Sequence, residues 1–318
     1  MKGAKQTTLR EPVAISGVGV HSGLPVTLTL YPADDDAGIV FQRVRPDGSI
    51  EREVRADVRA VTATEFATVL GDAKGPLCST AEHLLAALRG LNVDNVLIEI
   101  DGPEVPIMDG SAAPFVEAID QAGLTARAQP RRYIEVAKPV HVIKDGAIGE
   151  LTPYDHGFRV EAEIKFDHPL IGKQALALDI EPKSFRREIA RARTFGFMKD
   201  VAKLWSAGFA HGASFDNTLV VTENRVLNPD GLRFADEFVR HKVLDAIGDL
   251  ALAGLPLLAC YRTIRGGHKL NHAVLSALMA DTSAWRVVEA TGEMVRRSRG
   301  QAKIAAGQVA PVYGPDVS

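Results

Sequence analysis

Between Phe234 and Ala253 the chain carries an apolar helical pattern with three ionisable residues set along one stripe: His241, Asp245 and Asp249, each one turn after the last. Side chains at i and i+4 share a helix face, about 5–6 Å apart at Cβ. Leu244, Ile247 and Leu250 mark most of this helix as buried, and a buried carboxylate needs a partner. Any fold that houses this segment must bring a cation to it. A metal ion and a cationic histidine would both serve.

A second short segment supplies what such a centre lacks. Ser79-Thr80-Ala81-Glu82 fits a capping box ahead of a helix over His83 to Leu88, with Gly90 as its stop. A Glu directly before a His sets a carboxylate base beside a third ligand. His83, His241 and Asp245 as ligands, with Glu82 as base and one position open to water, form the residue set of a zinc hydrolase. Each residue also has an ordinary explanation. Glu82 is the N3 residue of the capping box, the histidines are hydrogen-bonded like most single histidines, and the aspartates are solvated helix positions. Two histidines and a carboxylate also describe the facial triad of Fe(II) oxygenases. Such an enzyme, however, has no need of a base adjacent to a ligand.

The rest of the sequence is compatible with an enzyme. With 318 residues, 46% hydrophobic and 24% charged, the chain can bury a substantial core. A net charge of -3 gives no reason to expect nucleic acid. The longest apolar tract, Ala251 to Cys260, is broken by Gly254 and Pro256, and the N-terminal residues lack the apolar stretch of a signal peptide. A soluble cytoplasmic protein is expected, and two cysteines without CxxC spacing fit a reducing compartment.

Val26 to Tyr31 alternates apolar and polar residues and predicts a strand. Gly17 to Gly23 before it reads as a turn, because no helix follows to make it a phosphate loop. Val93 to Ile100 predicts a strand and Ala113 to Ala122 a helix. The charged, proline-bearing stretch Arg127 to Arg132 places a boundary that divides the chain into 1–128 and 129–318. Strands follow around Tyr133 to Val142 and Phe158 to Phe166. Setting His83 to Gly90 against His241 to Gly248 aligns His, apolar positions and Gly, a weak internal repeat. Two related α+β halves would put a metal site at their interface. Between Glu188 and Val221 lies material with no obvious counterpart in the first half. There a helix from Met198 to Ser206 aligns Met198, Val201, Ala202 and Trp205, either packed on the core or lining an apolar channel. His268 falls on the glycine-rich turn Arg265 to Lys269, after a strand from Leu257 to Ile264.

At this point the motifs combine. Gly17 to Gly23, Thr80 to His83, Met108-Asp109-Gly110-Ser111, Ala192 to Gly196, the run Asp236 to Asp249 and Gly267-His268 occur in an order that resembles the UDP-3-O-acyl-N-acetylglucosamine deacetylase (LpxC) family of lipid A biosynthesis. The resemblance implies two topologically similar α/β sandwich domains with the metal between them. It implies Zn²⁺, with Fe²⁺ as the other candidate, on His83, His241 and Asp245. Glu82 is then the general base that activates water against the sugar's acetamide, and Thr194 helps stabilise the oxyanion. His268, kept cationic by Asp249, protonates the leaving amine. Asp109 is expected to bond His83 as an outer partner.

The resemblance further maps Lys242 to the diphosphate of an acylated UDP-sugar, with Arg265 as a second cation beside it. Phe195 maps to the sugar or acyl group and Phe166 to the uridine. The Met198 to Trp205 face becomes a wall for the acyl chain. Phe209-Ala210-His211-Gly212 departs from the small or aliphatic residues expected beside an acyl passage. His21 receives no role. A monomer is expected. A non-catalytic sugar-nucleotide-binding protein of the same fold is the alternative from another class.

Overall fold

The computed structural model describes residues 4–290. The alternating segment after the glycine-rich turn is a strand, with Val26, Leu28 and Leu30 buried and Thr27, Thr29 and Tyr31 on the other face. It belongs to a five-stranded sheet made of β1 (Val13–Val18), β2 (Pro25–Pro32), β3 (Ile39–Val44), β4 (Ile50–Arg55) and β5 (Val96–Ile100). Its order is β1-β2-β5-β3-β4, with β3 and β5 parallel and all other neighbours antiparallel.

The second sheet repeats this arrangement. β6 (Val140–Lys144), β7 (Ala147–Pro153), β8 (Phe158–Lys165), β9 (Lys173–Asp179) and β10 (Leu257–Ile264) run β6-β7-β10-β8-β9, and again only the third and fifth strands of the set are parallel. Arg132–Val136 and Trp285–Glu289 extend it to seven strands. The segment 133–142 is thus two strands, interrupted where Pro139 has no N–H to give a ladder. In each half a helix precedes the fifth strand and another follows it. These are α1 (Glu82–Gly90) and α2 (Ala113–Ala122) in the first half. In the second, after the short α3 (Val201–Ser206), they are α4 (Glu237–Leu250) and α5 (His268–Ala280). The repeat suggested by eight residues of sequence therefore extends through both sheets, and the architecture is two-domain α+β.

The insertion also has a counterpart, contrary to expectation. Each half inserts chain between its fourth strand and the following helix. In the first half this is the small sheet Val61–Ala63, Val69–Asp72 and Gly75–Cys78. In the second it is the stretch holding α3 and the parallel pair Phe195–Phe197 and Leu219–Val221.

The two core helices meet at Gly248. A Cβ there would lie 2.0 Å from the carbonyl oxygen of Glu82, so glycine is what lets α4 touch the start of α1. Every residue of α1 is buried, and α4 is followed by one tighter turn, Ala251–Ala253, before Gly254 at φ +82° ends it. Among the described residues no helix is long and apolar enough to cross a membrane.

Candidate metal centre and cleft

The capping box at Ser79 to Glu82 does not form. Thr80 sits at φ +57°, an unfavourable conformation for a β-branched residue, and its hydroxyl is given to the buried Glu104 at 2.8 Å. The N-cap is Ala81, with no side-chain cap bond. Glu82 is the first helical residue, and its Oε2 accepts the N–H of Thr68 at 3.0 Å. The carboxylate is therefore free of a capping role, and Oε1 faces the Nε2 of His268 at 3.8 Å. Burial raises the Glu82 carboxyl above its usual range, with His268 and His83 acting in the opposite sense.

The i, i+4 pair on α4 meets His83 from α1. Ligand atoms of His83, His241 and Asp245 all lie within 4.8 Å of one another. Asp245 Oδ1 is 3.2 Å from His241 Nε2 and 3.7 Å from His83 Nε2, yet it is buried without a hydrogen-bond partner. Such an orphaned acceptor is costly unless something else satisfies it. His241 Nδ1 lies 3.1 Å from the Ala192 carbonyl, which assigns the ring proton there and turns the Nε2 lone pair towards Asp245. Burial pushes His241 down to about 3, against the pull of Asp245, so this ring is neutral. Two imidazoles and one carboxylate placed in this way fit a divalent cation such as zinc.

Several contacts hold the loop that orients His241. Arg193 forms a buried ion pair with Glu237 at 2.9 Å, and Glu237 also accepts the Arg193 backbone N–H at 3.0 Å. This fixes Ala192, on one side, and Thr194, on the other. Thr194 N–H donates to the Gly110 carbonyl at 2.8 Å. Lys242 donates to Asp245 Oδ2 at 2.8 Å, with its ammonium 5.7 Å from the Phe195 ring centre.

His268 is the first residue of α5 rather than part of the turn before it. Its Nδ1 meets Asp249 Oδ2 at 2.9 Å, and Asp249 in turn accepts from Asn271 Nδ2 at 2.8 Å. Asn271 is oriented by the buried Tyr261 hydroxyl at 2.7 Å. Burial disfavours the imidazolium, but Asp249 and Glu82 outweigh it and raise His268 to about 10. Glu82 and His268 are thus neighbours on the same floor, each raised above its ordinary range, the carboxyl by burial and the imidazole by Asp249 and Glu82 against burial.

Glu82, His83, His241, Asp245 and His268 form the floor of a cleft of about 290 Å³. Its walls are mostly apolar, including Val20, Phe66, Ile107, Phe197, Val201 and Leu204. The family model for UDP-3-O-acyl N-acetylglycosamine deacetylase (LpxC) matches residues 6–280. Curated relatives from Brucella ovis, Brucella canis and Brucella melitensis, each described as UDP-3-O-acyl-N-acetylglucosamine deacetylase, are 50% identical over 288 residues, covering 90% of this chain and 99% of theirs. The chain belongs to this deacetylase family. The LpxC deacetylases are metal-dependent amidases, and the centre described here is of a kind such an enzyme needs.

The other candidates stand at different distances from the LpxC cleft. Thr194, Phe195 and Lys242 line it. Phe166 does not, but its ring packs against Phe195 and Phe197 at 5.8 and 5.9 Å between centres. Arg265 is exposed, at φ +58°, three residues before His268. Asp109 is not the outer partner of His83. Its carboxylate binds Ser111 and pairs with Arg233 at 2.8 Å, while His83 Nδ1 has no hydrogen-bond partner. On the insertion, the face towards the cleft is Val201 and Leu204. Met198 and Trp205 are 46% and 57% exposed. His211 is exposed as well, held through its backbone N–H to His21.

Two contributors were missed by the sequence reading. His21 lines the cleft, its backbone N–H bound to Glu104. Thr68 joins Glu82 to Asp249, through Oγ1 to Asp249 at 2.5 Å. Thr68 belongs to no motif that would have marked it, and His21 sits within the Gly17 to Gly23 turn, where nothing in the spacing gave it a role.

Proposed function

We propose that this chain hydrolyses the N-acetyl group of a UDP-3-O-(3-hydroxyacyl)-N-acetylglucosamine, releasing acetate, with zinc as the resident cation. The observation that carries this reading is the convergence of His83, His241 and Asp245 beside Glu82 and His268 at the base of an apolar cleft. The relatives' description supplies the substrate class. The reaction would be the committed deacetylation of lipid A biosynthesis.

The division of labour follows from the contacts. A divalent cation on His83, His241 and Asp245 would acidify water and polarise the amide carbonyl. Glu82, held at Oε2 by Thr68, offers Oε1 to take the water's proton. Thr194 lines the cleft, and its hydroxyl would serve as the donor a tetrahedral oxyanion needs. His268, charged and anchored by Asp249, delivers a proton to the departing amine.

Lys242 and Phe195 would meet the sugar and its diphosphate, with Arg265 as an outlying cation and Phe166 backing the aromatic wall. The acyl chain would lie along Val201 and Leu204. Met198 is less suited to this than its neighbours, because it faces outward. We assign the boundary between the halves near residue 130, where Leu124–Pro130 still pairs with Lys5–Leu9 and Arg132–Val136 already belongs to the second sheet. Both cysteines are free thiols, in keeping with a cytoplasmic protein, which we take to be monomeric.

The test is acetate release from UDP-3-O-acyl-N-acetylglucosamine by the purified protein, with and without a chelator, followed by restoration with Zn²⁺ or Fe²⁺. Release that stops on chelation and returns with zinc is the expected result. No metal-dependent release would sink the proposal.

A further inference from the structure

One residue outside every recognised motif touches both sides of the proposed proton-transfer machinery. Thr68 is buried, immediately before the strand Val69–Asp72 of the small inserted sheet. Its N–H donates to Glu82 Oε2 at 3.0 Å, and its carbonyl accepts the N–H of Ala81, the N-cap of α1, at 3.3 Å. Its hydroxyl reaches across to the second half and meets Asp249 Oδ1 at 2.5 Å. The same oxygen lies 3.5 Å from His268 Nδ1.

The donor count decides how this network is wired. An ionised carboxylate only accepts, so the single hydroxyl proton of Thr68 goes to Asp249. Asp249 Oδ2 is then left to His268 Nδ1 and Asn271 Nδ2 at 2.9 and 2.8 Å. On Glu82, the backbone bond occupies Oε2 and leaves Oε1 towards His268 Nε2 at 3.8 Å. Thr68 thereby selects which oxygen of each carboxylate faces the histidine. It also spans the two halves, since Glu82 comes from one and Asp249 and His268 come from the other.

We propose that Thr68 is a positioning residue for the deacetylation, holding the base Glu82 and the Asp249–His268 acid in one frame. This rests on the hydrolytic function proposed above. Thr68 touches neither substrate nor cation. Its effect is on the geometry of the chemical step, so it belongs in kcat rather than in KM.

The test is Thr68→Val, which keeps the shape and the backbone N–H and removes only the hydroxyl, beside Thr68→Ser, which restores it. Loss of such an outer partner lowers activity about 10–100-fold. The valine variant is expected to lose kcat in that range with KM and metal content near wild type, and the serine variant to recover it. A valine variant with wild-type kcat would overturn the inference. So would a loss that serine does not rescue, or one that tracks metal release or a raised KM. If the valine variant does not fold, Thr68→Ala, smaller and without the misplaced methyl, carries the same comparison. Wild-type protein that releases no acetate in the same assay would refute the hydrolase reading itself, an outcome distinct from the failure of Thr68.

Discussion

His268 Nε2 stands 3.8 Å from Glu82 Oε1, so the ring and the carboxylate assigned as acid and base face one another across the cleft floor. They come from helices in different halves of the chain, and both sit at the first position of their helix. A proton taken by one and returned by the other would travel only across the reacting amide.

Glu82→Gln should therefore lose turnover by roughly 10²–10⁴-fold, the usual worth of a positioned general base. Its zinc content should stay close to that of the wild type, because Glu82 is not among the clustered ligand atoms. His241→Ala should instead lose the metal. Acetate release and metal analysis on both proteins separate the two roles, and equal metal loss would make Glu82 a ligand.

The pH dependence has a defined sign. His268 is raised from 6.5 to about 10 despite burial, by Asp249 and Glu82. The fold favours its protonated form, so its contribution to stability is complete below pH 6.5 and is lost as pH rises through about 10. The alkaline limb of kcat/KM should accordingly lie above the ordinary imidazole range. Asp249→Asn should bring that limb down. An unmoved limb would mean that Asp249 does not hold the charge.

The centre was legible where its geometry is local. His241 and Asp245 share a helix face by spacing alone, and their flanking leucines announced burial. Thr68 could not be read in this way. It lies 14 positions from Glu82 and 181 from Asp249, and only the tertiary fold brings them together. The capping box failed for a related reason, since the hydroxyl of its cap residue Ser79 turns to the Pro103 carbonyl, 24 positions away, and the helix starts only after Ala81. Periodicity found the amphipathic segment at Met198 to Ser206 but not the side that meets the cleft, because a stripe carries no information about which neighbour it faces.

That side gives a third prediction. Leu204→Glu should raise KM for a long-chain acyl substrate far more than for a short one, with kcat little changed, because Leu204 lines the apolar wall while the reacting groups lie on the floor. Steady-state kinetics on two chain lengths measures this. Equal effects on both would place the acyl chain elsewhere.

Arg193 and Glu237 are buried and paired, and removing one partner leaves an uncompensated charge. Arg193→Met should cost about 3–5 kcal/mol of stability in urea unfolding. It should also weaken metal binding, since Ala192 beside it orients His241. Unchanged stability would show that Glu237 finds another partner.

Gly248→Ala should be among the most damaging single-methyl changes, because its Cβ would overlap the Glu82 carbonyl at 2.0 Å. Either α4 retreats or α1 does. Both movements separate His83 from His241, so metal affinity should fall together with the melting temperature. A stable variant with normal metal content would refute the tight contact.

The matching strand order of the two sheets bears on how such a centre could originate. His83 and His241 occupy aligned places in the repeated helical segment, one from each half. The residues that make the centre asymmetric have no equivalents in the other half: Glu82 aligns with Arg240, and Asp245 with Ala87. A symmetric pair of chains could have bridged an ion with two histidines. It could not have set one base against one acid, because that inequality needs two halves of different sequence, as these are at Glu82 and Arg240.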